Sequence, residues 1–217
     1  ALITDTHFGD RKGRQIFHDY FERFYVGTFF PEIKRRNITR CIHLGDIFDV
    51  RKSIDYWSLD WAKRVFFDRL RQEGIDTTLI VGNHDIFYKD DLRINSLNLN
   101  LREYENLSII DRPQTVSIGD TPIFMVPWLC SGNAERFSQE LDATSASVCM
   151  GHLELAGFYA NQNYQCEKGT DPKCFKRFDQ VFTGHFHKKS SAGNITYLGN
   201  SYQLYWNDLN EVRGFHI

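Results

Sequence analysis

The chain has 217 residues, 41% of them hydrophobic and 25% charged, with a formal net charge of −2. That length suits one large domain with a substantial core. The near-neutral charge excludes a molecule that is basic all over, while leaving room for a local basic patch. No apolar run approaches the ~20 residues that span a bilayer, so no membrane partner is expected, and no signal peptide is visible.

The opening residues, Ala1-Leu2-Ile3-Thr4, read as a strand already under way, so a residue or two is expected upstream. Arg14 to Arg36 carries Ile16, Tyr20, Phe21, Phe24 and Tyr25 at helical spacing. Pro31 lacks a donor N–H and must kink or restart that helix. Ser53 is the expected N-cap of a second helix running to about Glu73, with Trp57, Trp61, Val65 and Leu70 on its apolar side and Gly74 ending it. Asp91 to Arg102 reads as a third helix and Asn133 to Leu141 as a fourth. Ser108 to Pro127 reads as three short strands, with late strands at Tyr197–Leu198 and Gly214–Ile217. The alternation of strand and helix indicates a layered α/β fold in one domain over residues 1–217. A 15% aromatic share, with 18 Phe, points to a bulky core. Of the five cysteines none forms a CxxC pair, which fits reduced thiols in the cytoplasm. Cys41 and Cys149 lie in apolar runs and read as core thiols, and nothing requires Cys166 and Cys174 to pair.

One junction recurs. An apolar run ends and a polar motif, usually led by glycine, follows at once. Cys41-Ile-His-Leu runs into Gly45-Asp46, Leu79-Ile-Val into Gly82-Asn83-His84-Asp85, Val148-Cys-Met into Gly151-His152, and Val181-Phe-Thr into Gly184-His185-Phe186-His187. Leu2-Ile3-Thr4 runs into Asp5-Thr6-His7 without a glycine. In α/β sheets ligands bind beyond the carboxyl ends of strands, so five strand ends are expected to deliver Asp, Asn and His to one rim. On a strand, Asp5 and His7 would face the same side.

Singly most of these motifs are modest, Gly82-Asn83-His84-Asp85 being stronger because four polar or special residues follow a buried strand with no structural need for them. Asp-x-His occurs by chance, and a lone Gly-Asp is often only a turn. Together, in this order, they resemble the calcineurin-like metallophosphoesterase superfamily. The resemblance implies two metal ions. Asp5, His7, Asp46 and His187 would hold one, and Asp46, Asn83, His152 and His185 the other, with Asp46 bridging. The ligands are nitrogen and oxygen donors without thiolate, which suits Mn²⁺, with Mg²⁺, Fe or Zn²⁺ as alternatives. Two such ions, ~3.5–4 Å apart, can lower the pKa of a water and clamp phosphate oxygens. A carboxylate has two oxygens with which to bridge them. His84 is left over and is assigned as general acid for the leaving oxygen, or as a phosphate-binding cation. Asp85 would orient His84 or raise its pKa, or else cap the next turn. Asp49 is expected beside the ligands without binding metal itself. His18, His43 and His216 read as structural.

Longer stretches narrow the resemblance. Gly45-Asp-Ile-Phe-Asp-Val-Arg-Lys52, Val81-Gly-Asn-His-Asp85, Pro127-Trp-Leu-Cys130, Gly151-His-Leu-Glu-Leu-Ala-Gly-Phe-Tyr159 and Gly184-His-Phe-His187 resemble the nuclease subunits of SbcCD-type recombination complexes, especially those of T4-like bacteriophages. This implies a metal-dependent DNA endo/exonuclease for repair and recombination, working in the cytoplasm (the host's, for a phage protein). The implied partners are DNA, an SbcC/Rad-type coiled-coil ATPase and a second copy in a homodimer, with Phe17 to Phe30 as the candidate dimer surface. The family's capping and ATPase-docking segments are expected to be absent. Many cellular members have His where Asp49 stands, which puts a substrate contact at that position in doubt. Basic residues follow three motifs: Arg11, Lys12 and Arg14; Arg51 and Lys52; Lys188 and Lys189. Such clusters suit a phosphate backbone. The rival readings are a phosphoprotein phosphatase or small-molecule phosphodiesterase, and a non-catalytic DNA-end binding module. Val50-Arg51-Lys52 after Asp49 breaks the Asp-Arg-Gly pattern usual in protein phosphatases.

Overall fold

The computed structural model describes residues 1–161 and 164–217, with the side chains of Asn161 and Asn207 left aside. Two β-sheets pack face to face. In the first, Leu2–Ile3, Arg40–His43, Asp76–Ile80 and Leu107–Ile110 lie in that order, all parallel. The second has six strands in the order Ser190–Ala192, Ile195–Tyr197, Gln180–Gly184, Val148–His152, Thr121–Val126 and Gln114–Ile118. Its four central strands are parallel, and its two edge strands run antiparallel. Ile42, Leu44 and Ile80 from the first half meet Ile123, Met125 and Met150 from the second in a dry layer between the sheets. Strands covered on both faces read as unbroken apolar runs, which is why the strand-to-motif junctions stand out in the sequence.

Two long helical stretches cover the outer face of the first sheet. The first comprises Gln15–Phe24, a π-helical turn at Tyr25–Phe29 and Phe30–Arg35. Pro31 sits in the first turn of the last piece, just after the π turn. There the wider loop accommodates a residue that cannot donate to the ladder. The second comprises Tyr56–Ala62, a π turn at Lys63–Phe67 and Asp68–Gln72. Its N-cap is Asp55, whose Oδ1 accepts from the Ser58 N–H at 2.8 Å, so the cap lies two residues beyond the expected Ser53. The extra residue of a π turn rotates the apolar face, and Val65, Phe66 and Phe67 are all buried. They pack with Phe21, Tyr25, Phe29, Phe30, Trp61 and Leu70. Trp57, Ile16 and Tyr20 are exposed instead, contrary to the helical-face expectation.

Two further expectations need correction. Asp91–Asn95 is a strand paired with Ile86–Tyr88, and only Ser96–Asn100 is helical. The tail forms a single antiparallel bridge, Leu2 with His216, in place of a strand over Gly214–Ile217. The three strands expected over Ser108 to Pro127 do form, as Leu107–Ile110, Gln114–Ile118 and Thr121–Val126, the first in one sheet and the other two in the second. The fourth helix, Ala134–Ala143, lies where expected. Cys41 and Cys149 are buried, and all five cysteines are free. Among the described residues no helix is long and apolar enough to cross a membrane.

Candidate metal centre

Five parallel strands end on one rim. Beyond Leu2–Ile3 come Asp5 and His7; beyond Arg40–His43, Asp46; beyond Asp76–Ile80, Asn83. His152 closes Val148–His152, and His185 and His187 follow Gln180–Gly184. The loops after the first two strands run side by side: the Asp5 N–H donates to Gly45 O at 3.0 Å and the His7 N–H to Asp46 O at 3.1 Å. Asp5 and His7 do not share a face by strand alternation, because the strand stops at Ile3. They converge through left-handed backbone, with φ of 50° and 44°, and Asp46 and His185 are left-handed too. Non-glycine residues in that region store strain and cluster at working sites.

The glycines explain how the loops come so close. A Cβ on Gly45, itself at φ 101°, would run into the His152 ring. One on Gly82 would strike the Asp46 amide and carboxylate.

The side chains gather into trios: besides His7 with Asp49 and His84, two consist wholly of expected ligands. Ligand atoms of Asp5, His7 and His187 lie within 4.8 Å of one another, and so do those of Asp46, His152 and His185. Asp46 stands between them, its Oδ2 being 3.3 Å from His152 Nε2 and 3.8 Å from His7 Nε2. Asn83 Oδ1 lies 3.0 Å from His152 Nε2 and 2.9 Å from His185 Nδ1. His7 Nε2 and His187 Nε2 are 3.1 Å apart.

These contacts fit cations. His152 Nδ1 is 2.7 Å from Leu44 O, and a carbonyl only accepts, so Nδ1 carries the proton. In the neutral ring, Nε2 then turns a lone pair towards two oxygens, Asn83 Oδ1 and Asp46 Oδ2. Three acceptors at this range repel unless positive charge lies between them. Two atoms each ~2.1 Å from one ion stand roughly 3.0–3.4 Å apart, the spacing of this set. Protons are the alternative source of charge. Burial disfavours a charged His152, but Asp46 and Asp5 outweigh it and lift the pKa to about 9. Burial likewise opposes charge on His7, and the Asp49 carboxylate with Asp46 and Asp5 lifts it to about 9. Asp46 itself is held well below the carboxylate range: burial works against its charge, and the His152 and His7 imidazoles prevail. The pocket draws in positive charge, whether as protons or as metal.

Around the ligands the motif residues divide. Asp49 Oδ1 lies 3.3 Å from His7 Nδ1. His84 Nδ1 sits 2.5 Å from Asp49 O, so it donates there and leaves Nε2 facing outward for other work. Asp85 does not orient His84, which corrects that expectation. Its buried carboxylate accepts from the amides of Ile47, Phe48 and Gly82, tying the second and third motif loops together. Burial, then the charge of Asp46, push Asp85 up to about 7. His43 and Thr6 pair inside the core, and His18 stacks on Trp61.

Sequence reasoning missed several neighbours. Thr4 Oγ1 donates to Asp5 Oδ2 at 2.7 Å. Glu154 Oε1 lies 3.6 Å from His185 Nε2 and holds that ring from outside. Tyr205 stacks on His187 at 5.7 Å and 12°. Only Glu154 carried a signal, two residues after His152 in its motif. The basic residues fall on separate surfaces. Arg11, Lys12 and Arg14 line one cleft; Arg51 and Lys52 line another, where the Lys52 ammonium sits 5.3 Å from the Phe87 ring. Lys189 is exposed and Lys188 half-buried beyond His187.

The chain is 37% identical over 182 residues to Exonuclease subunit 1 of Enterobacteria phage T4, an overlap covering 84% of this chain and 53% of the relative. It therefore spans about half that protein's length. Among solved structures it is similar to the Pseudomonas putida nuclease MPE, with TM-score 0.38, 15% identity and coverage of 90% of this chain and 65% of that one. It is also similar to GAP50, the anchor in the inner membrane complex of Plasmodium, with TM-score 0.48, 14% identity and coverage of 90% and 69%. The Calcineurin-like phosphoesterase family profile matches residues 1–189, the stretch that carries all five strand ends and their polar motifs, and the chain belongs to that family.

Proposed function

We propose that this chain cuts phosphodiester bonds in DNA as the nuclease subunit of a recombination and repair complex, using two divalent cations, Mn²⁺ by preference. The observation that carries this reading is the pair of ligand trios joined through Asp46. Asp5, His7, Asp46 and His187 would hold one ion, and Asp46, Asn83, His152 and His185 the other. Ions held there would supply a nucleophile at neutral pH and neutralise the charge of the phosphate. Asp46, whose Oδ2 lies towards both His152 and His7 while Oδ1 accepts from the His84 N–H, would serve both sites. His84, anchored through Nδ1 on Asp49 O, presents Nε2 to deliver a proton or a positive charge to the departing sugar oxygen. The basic clusters would track the backbone of a polyanion. The T4 relative is named a subunit. By analogy this chain would work with a coiled-coil ATPase, as a homodimer, in the cytoplasm.

Cleavage of plasmid and end-labelled duplex, with and without Mn²⁺, tests the reading beside a phosphopeptide and a cyclic nucleotide. Metal-dependent DNA cutting is expected. Intact DNA alongside rapid hydrolysis of either other substrate would sink the nuclease assignment and leave a phosphatase or cyclic-nucleotide phosphodiesterase.

A further inference from the structure

A cleft of about 520 Å³ opens beside the metal centre, between the turn at residues 10–14 and the segment 203–209. Its chemistry is mixed in a particular way. Arg11, Lys12 and Arg14 supply three cations, and among the described residues no carboxylate lines it. Arg11 is partly committed: it donates to Leu204 O at 3.1 Å and lies near Asp10. Lys12 and Arg14 are exposed, with no ion pair among the described residues. Three aromatic rings, Phe17, Tyr205 and Trp206, complete the cleft. Tyr205 is 41% exposed and Trp206 87% exposed.

An indole this open presents its ring face to whatever enters the cleft. The segment that carries it is firmly held. Buried Asp208 accepts from the Leu204 and Tyr205 amides at 2.9 and 3.1 Å and pairs with Arg213 at 2.9 Å. The ring is therefore presented by a rigid support. Tyr205 also stacks on His187, so the cleft adjoins the ligand set itself.

Resting on the nuclease reading above, we propose that this cleft is a subsite for an unpaired DNA strand next to the cut. Trp206 stacks on one base, and Lys12 and Arg14 receive the neighbouring phosphates. Duplex bases are paired and stacked inside the helix and offer no free face to an indole. A strand with unpaired bases offers both a face and a phosphate within one nucleotide, which is the combination that single-strand binding surfaces use.

Fluorescence anisotropy with a labelled oligothymidylate of roughly 12 nucleotides, and with a blunt duplex of equal length, tests this. EDTA in both arms keeps cleavage out of the readout. Trp206→Ala should weaken oligothymidylate binding roughly tenfold and leave duplex binding within about twofold, while Trp206→Phe recovers most of the loss. Lys12→Ala with Arg14→Ala should reduce the single-strand salt slope by about 0.7 for each phosphate left without its cation. Because Trp206 is so exposed, its replacement should leave the melting temperature unchanged. Unaltered oligothymidylate affinity in Trp206→Ala, or equal losses on both ligands, would overturn the subsite. If the wild type cuts no DNA with Mn²⁺ yet Trp206→Ala still loses single-strand affinity selectively, the nuclease reading falls and the subsite stands. If the wild type cuts DNA and Trp206→Ala binds normally, only the subsite falls.

Discussion

The ligand rim and the neighbouring aromatic cleft are built by opposite rules. On the rim, Asp5, His7, Asp46, Asn83 and His152 are buried, and their strand-end loops are locked by glycines and by Asp85. Such a concentration of polar atoms out of water is costly unless counter-charge is supplied. In the cleft, Trp206, Lys12 and Arg14 are open to solvent and cost little, so they can be exchanged without disturbing the fold. The rim commits the molecule to one chemistry, whereas the cleft adjusts what that chemistry is applied to. Changes on the rim should act on turnover and metal content, and changes in the cleft on affinity alone.

Asp46→Asn should break the rim most completely. The amide keeps one good ligand oxygen, so activity should vanish and both ions should be lost on elemental analysis. Two tightly held ions in that variant would show that Asp46 is no bridge. His84→Gln should leave both ions bound while DNA cleavage falls by roughly 10²–10⁴. A p-nitrophenyl phosphodiester, whose leaving group needs no proton, should lose much less, and equal losses would assign His84 to phosphate positioning instead. Asp85→Asn sharpens the contrast between neighbours in one motif. Its new NH₂ group would face the Gly82 N–H, so stability should drop by about 2 kcal/mol in urea unfolding. The ratio of DNA to p-nitrophenyl substrate turnover should stay fixed, and a changed ratio would restore Asp85 to the catalytic group. The smallest effect belongs to Arg51→Ala with Lys52→Ala. Metal content should be untouched, and the salt dependence of duplex binding should flatten by about 0.9 in log–log slope for each phosphate no longer neutralised. An unchanged slope would make these two ordinary surface cations.

The legible and illegible parts of the sequence follow the same division. The strand ends can be read because a doubly covered parallel strand is an apolar run, and a Gly-led cluster of Asp, Asn and His straight after it has no packing reason to exist. The direction of Asp85 cannot be read, since its partners Ile47 and Phe48 lie in another motif and only folding brings them near. Asp91-Leu-Arg-Ile-Asn95 reads as the start of a helix because its buried positions, Leu92 and Asn95, are three apart with Arg93 and Ile94 exposed between them, and only pairing with Ile86–Tyr88 makes it a strand. The π turns are invisible because they alter the ladder without changing residue type. Trp206 escapes notice because it stands almost two hundred positions from Arg11 and Lys12, with no motif around it.

Neither sheet holds a complete trio of expected ligands. Asp5 and His7 come from the first sheet and His187 from the second; Asp46 comes from the first, and His152 and His185 from the second. An ion seated on either trio is therefore a rivet through the sandwich as well as a reagent. Prising the two sheets apart would have to break its bonds, so resistance to unfolding rises with cation supply through ordinary linkage. The same coupling makes the gap between the layers a mechanical coordinate of the site. Anything that slides one sheet on the other would change the spacing of the two clusters and with it the fit of any ions held there.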